Sequence, residues 1–160
     1  MNVKFSICFL GLIVCFSCDY ISGKVNTSDS IANDTIVDFS TVDVSPWFKE
    51  CSELLEDEKT NCFRTNVREK FTEELKLHDI SSEQFINEVV TVILIIDKEG
   101  NMQVQDIDLS ELIQEQIPQL PDVLDDIVAN MPKLYPAIKR GIPVTTQYKL
   151  PINIKTKERK

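Results

Sequence analysis

Glycine is scarce in this chain, with four residues in 160, and histidine and tryptophan occur once each. So little glycine excludes collagen-like and low-complexity architectures. There is no glycine-rich phosphate loop, and no serine stands in a Gly-x-Ser-x-Gly elbow. The single histidine, His78, sits among polar residues where a predicted helix ends, and reads as an exposed loop position. With two spare cysteines it makes no tetrahedral metal set. These gaps argue against an enzyme, and no cofactor or metal is expected. Positive charge is also short, with 17 Lys and Arg against 26 Asp and Glu and a net charge of −9. An acidic surface without a basic stripe repels phosphate backbones, so nucleic acid is not expected as a partner. The cations at Lys155, Lys157, Arg159 and Lys160 read as a solvated tail over 157–160. Long apolar runs are missing too. The one near the start has about a dozen residues, where a bilayer span needs roughly 20.

That short run opens what is present. Lys4 precedes apolar residues from Phe5 to Phe16, and Ser17, Cys18 and Asp19 close them off. One cation followed by a short apolar core has the form of a secretory signal. Its end, Cys15-Phe16-Ser17-Cys18, resembles a bacterial lipobox, with small Ser17 before the cysteine that would carry lipid. Cys15 offers a second box, but there the preceding Val14 is larger. The expectation is a signal over 1–17 and lipidation at Cys18, on the periplasmic side of a cell envelope, in either membrane. An ordinary secretory signal is the alternative. Cys51 and Cys62 then remain as an even pair in an oxidising compartment. They form either a bridge worth roughly 2–3 kcal/mol or two buried thiols.

Residues 18–45 are rich in Ser, Thr, Asn and Asp without a helical period, and read as a flexible tether. The folded domain is expected over 46–156. Phe63, Val67, Phe71 and Leu75 recur at intervals of four, which predicts an amphipathic helix over 57–77. The acids Glu53, Glu56, Asp57 and Glu58 complement its start. Residues 88–97 are β-branched and apolar on both faces, as in a central strand. Asp97-Lys98-Glu99-Gly100-Asn101 reads as a hairpin loop, and the return strand shifts phase near Gln105 and Asp106, as at a bulge. A short helix or loop over 110–117 and a helix from Pro121 to Met131 follow. In the last strand Val144, Thr146, Tyr148, Leu150, Ile152 and Ile154 face one way. Thr145, Gln147, Lys149, Pro151, Asn153 and Lys155 face the other. Pro151 cannot donate to a ladder, so this strand belongs at a sheet edge. The fold class is α+β: a three-stranded antiparallel sheet with two main helices on one face.

Three words in this order carry a resemblance. They are Ile95-Ile96-Asp97-Lys98-Glu99-Gly100-Asn101, then Met131-Pro132-Lys133-Leu134-Tyr135-Pro136 with Lys139-Arg140-Gly141-Ile142-Pro143-Val144, then Tyr148-Lys149-Leu150-Pro151-Ile152-Asn153-Ile154. Over residues 46–155 the chain resembles the TonB C-terminal domain family, in the forms seen in Bacteroidetes. Cys51 and Cys62, ahead of the first helix, also match those forms. Pro132, Pro136, Arg140, Gly141, Pro143 and Pro151 are the motif residues. Ala137 stands where the family usually has glycine, and 110–120 looks like an insertion. The chain lacks the full transmembrane helix and Pro-rich rod of a typical TonB.

The resemblance implies capture of an extended segment, at the start of an outer-membrane transporter, by addition to the edge of the last strand. Val144, Thr145, Thr146, Gln147, Tyr148, Lys149, Leu150, Ile152 and Asn153 are the expected binding edge. The other expectation is an envelope assembly lipoprotein that keeps the fold without energy transduction, with dimerisation through the same edge. There Arg140 and Gly141 serve a turn and Tyr148 the core.

Overall fold

The computed structural model describes residues 35–78 and 80–156. The signal segment, Cys18, the tether up to residue 34 and the tail at 157–160 lie outside the described residues.

Helix α1 (Glu56–Leu77) begins with three acids, Glu56, Asp57 and Glu58, where the helix dipole favours negative charge. The Glu58 carboxylate accepts from the Leu55 N–H at 3.2 Å. Its apolar stripe buries Phe63, Val67 and Phe71, with Leu75 half-buried below them. Each buried phenylalanine contributes about 2–3 kcal/mol. His78 is the C-cap residue and is half-buried rather than exposed.

The stripe packs on one face of a sheet. Strand β2 (Asn87–Ile96) runs through the Asp97 loop into β3 (Met102–Asp108), and β6 (Thr146–Lys155) lies along the other side of β2. The β2–β3 register slips between Ile93 and Leu94, leaving Gln105 opposite no residue of its own, so the bulge stands where the phase of the sequence shifts. Helix α2 (Glu111–Gln116) is capped by Ser110, whose Oγ accepts from Ile113 N at 3.2 Å. Helix α3 (Leu120–Ala129) has Pro121 in its first turn and buries Leu124, Ile127 and Val128. These side chains join Val90, Val92, Leu94, Tyr148, Leu150, Ile152 and Ile154 in the core. Among the described residues, no helix covers the sheet's other face. There Val89 is 63% exposed, and Gln147 and Gln105 bond side chain to side chain across β2.

The α+β class holds, but the sheet is not three-stranded and antiparallel. It has four strands: residues Val37–Asp38, strand β1, lie parallel beside β6, giving the order β1-β6-β2-β3. Strand β1 (Val37–Asp38) comes from the stretch expected to be tether. A second sheet joins β4 (Ala137–Lys139) to β5 (Ile142–Val144), and residue 44 bridges to Ile138 and Trp47 to Tyr135. The expectation of a tether reaching residue 45 is therefore corrected. Residues 37–44 join both sheets, and Phe39 is buried at 5.5 Å from Phe63 and 4.9 Å from Tyr148 between ring centroids. Burying that ring outweighs the polar composition around it.

Candidate partner-binding edge

Along an extended strand, backbone N–H and C=O groups point to alternate sides. Two bonds fix the phase in β6. Thr145 O accepts from Val37 N at 2.9 Å, on the β1 side, and Thr156 N donates to Ile86 O at 3.0 Å, on the β2 side. The β2–β6 register is unbroken between them. Even-numbered residues of β6 therefore bond toward β2 and odd-numbered residues point away from it. Side chains follow the same alternation: Tyr148, Leu150, Ile152 and Ile154 are buried, while Lys149, Pro151, Asn153 and Lys155 are exposed.

The expected edge thus divides. Val144 belongs to β5 and pairs with Ala137, because the chain turns between the two small strands before β6 begins. Thr145 is buried, with its carbonyl used by β1. Thr146 and Gln147 lie against β1, and Thr146 Oγ1 donates to Val37 O at 2.8 Å. Tyr148, Leu150 and Ile152 have their backbone groups committed to β2. Lys149, Pro151, Asn153 and Lys155 remain, and no strand among the described residues pairs with their outer side. The N–H that Pro151 lacks would have pointed outward, so the proline costs the β2 ladder nothing.

Charge gathers along this edge. Arg64 of α1 stands 5.6 Å from the Phe39 ring, with its guanidinium over the face. Burial raises the Tyr148 phenol above its ordinary pKa, while Arg64 and Arg68 nearby act to lower it. The Asp38 carboxyl is held below its ordinary value by bonds from the Ser40 hydroxyl and N–H, and then by Lys149 and Lys139.

The motif residues have structural partners. The Asp97 carboxylate closes its loop by accepting from Glu99 N at 2.9 Å and from Asn101 N at 2.8 Å. Gly100 has φ of +86°, its carbonyl accepts from Leu134 N at 2.9 Å, and a Cβ there would lie 1.8 Å from Leu134 O. The first word is thereby clamped to the second. Tyr135 stacks on Trp47 at 5.0 Å, and Lys59 lies over the Trp47 ring. Arg140 and Gly141, at φ +51° and +76°, form the two-residue turn between β4 and β5. The Asp43 carboxylate accepts from Arg140 N at 2.5 Å. Pro132 is exposed at the end of α3, Pro136 leads into β4, and Pro143 is exposed within β5. Cys51 and Cys62 form a disulfide with Cα atoms 6.1 Å apart. Cys62 lies inside α1 and not ahead of it, so the bridge ties the segment before the helix to the helix itself.

Sequence reasoning missed β1. Its only signal was the small apolar run Ile36-Val37 and Phe39 within polar residues. At the far end of β6, a polar cleft is lined by Ser81, Ser82, Glu83, Glu115, Gln116 and Gln119. Ser82 Oγ there lies 2.6 Å from Thr156 Oγ1, which accepts from Ile86 N at 3.0 Å. Among the described residues, no cluster of three or more His, Cys, Asp or Glu side chains could hold a metal, and no helix is long and apolar enough to cross a membrane. Searches of the chain against family models, curated proteins and solved structures found no match.

Proposed function

We propose that this chain is a membrane-tethered, periplasmic TonB-like domain that takes up an extended segment of an outer-membrane transporter, or of another envelope protein, by strand addition to β6, in TonB-dependent transport. One observation carries the reading: beyond Gln147 the outer side of β6 has no partner among the described residues, while its inner side is paired with β2 throughout. An unpaired strand edge is a template for a further strand. The lipobox-like Cys18 supplies the tether, and the three sequence words supply the family resemblance.

The test is a titration of the isotope-labelled full chain, held in mild detergent, with peptides from the N-termini of outer-membrane transporters. Amide shifts at Lys149, Asn153 and Lys155, given by one peptide and not by its scrambled form, are the expected result. No shift at millimolar peptide overturns the reading.

The second reading is an envelope assembly lipoprotein that keeps the fold without energy transduction and dimerises through the same edge. It is favoured by the use of Gly100, Arg140, Gly141 and Tyr148 in turns, clamps and core. Concentration-dependent shifts at the same amides without any peptide would select it.

A further inference from the structure

A protein with a net charge of −9 should not gather cations by default, yet the free side of β6 is bordered by them on both faces. On the helix face Arg64 of α1 lies over the Phe39 ring, which packs on Tyr148, and Arg68 stands one turn further along the same side of α1. Both are exposed. On the open face Lys149 and Lys155 are exposed side chains of β6 itself. The one ion pair among the described residues, Lys70 with Glu50 at 3.9 Å, involves none of these four. Asp38 belongs to the strand already seated at this edge, where its backbone pairs with Gln147. Strand β1 thus provides a precedent: the segment that β6 accepts on its outer side places a carboxylate near Lys149 and Lys139.

We infer that β6 selects its partner by charge: the added strand is an acidic extended segment, seated between Arg64 and Arg68 on the helix face and Lys149 and Lys155 on the open face. The inference rests on strand addition and goes further, naming the chemistry of the segment. Opposite charge flanking a strand edge speeds encounter and disfavours basic segments. Its contribution is screened by salt, because the four cations are exposed.

Two probes separate this inference from the reading beneath it. Both are seven-residue amides that alternate valine with a charged residue, glutamate in one and lysine in the other. They are titrated into the full chain in mild detergent, with the β6 amides as readout. The glutamate peptide is expected to bind at least about tenfold more tightly at low salt, with the gap closing as ionic strength rises several-fold. Lys149→Gln should narrow that gap with the fold unchanged, since the side chain is exposed. Combining it with Arg68→Gln should narrow the gap further. Equal affinity of the two peptides for the β6 edge overturns charge selection and leaves strand addition standing. A glutamate peptide that binds elsewhere, or no binding by either peptide at millimolar concentration, overturns both.

Discussion

At the scale of the residue, two glycines in left-handed conformations do different work. Gly100 and Gly141 both have positive φ, but only Gly100 is pressed against another segment. A Cβ at Gly100 would collide with the Leu134 carbonyl, so the Asp97 loop or the segment after α3 would have to move. Gly100→Ala should therefore cost about 3 kcal/mol, from strained φ and overpacking together. At Gly141 nothing lies within 4 Å of the same added atom. Gly141→Ala should cost only about 1 kcal/mol, the penalty of the backbone conformation. Urea unfolding of the two variants checks this, and equal losses would show that the clamp on Leu134 contributes nothing. A turn glycine at residue 100 was legible from its neighbours in sequence. Its need for empty space was not, because the atom that fills that space is 34 positions along the chain.

At the scale of the element, what could be read in advance depended on whether an element has a period. The four-residue stripe of α1 and the strict alternation of β6 are long patterns, and both elements stand where those patterns place them. The bulge in β3 was visible because it breaks such a pattern. Strand β1 has two residues and no period, and the bridges at Trp47 and Tyr135 join single positions. Those pairings arise from tertiary packing around Phe39 and Trp47, whose local trace is no more than a few apolar residues among polar ones. Within the candidate edge, the cover that β1 lays over Thr146 and Gln147 has the same origin. The disulfide links the segment that ends in Cys51 to α1, across a sequence separation of 11. Closing a loop of that size contributes about 3 kcal/mol through the unfolded chain. Reduction, or Cys51→Ala with Cys62→Ala, should lower stability by that amount while the circular dichroism of α1 is retained. A loss of helix on reduction would mean that the bridge holds α1 itself in place.

At the scale of the whole molecule, stability depends on pH through a group in its core. The Tyr148 phenol is raised from its ordinary value of 10.0, with burial as the first cause. Above that ordinary value the unfolded chain releases the proton first, so unfolding is favoured as pH rises. The stability associated with Tyr148 is complete below about pH 10 and is lost as pH climbs through the folded value. Urea midpoints from about pH 9 to about pH 11.5 should fall more steeply in the native chain than in Tyr148→Phe. Parallel curves would place the alkaline loss elsewhere.

The disulfide also decides how the fold meets tension. Among the described residues, a pull arriving from the N-terminal side first meets a paired strand at Val37, where two residues of β1 lie against β6. It passes Phe39 and the bridges at residues 44 and 47, and comes to Cys51. There the sulfur–sulfur bond carries it directly to Cys62, in the second turn of α1, and the residues between the two cysteines stay slack. Whatever draws on this chain from its N-terminal side therefore strips β1 from β6 before it strains the helix.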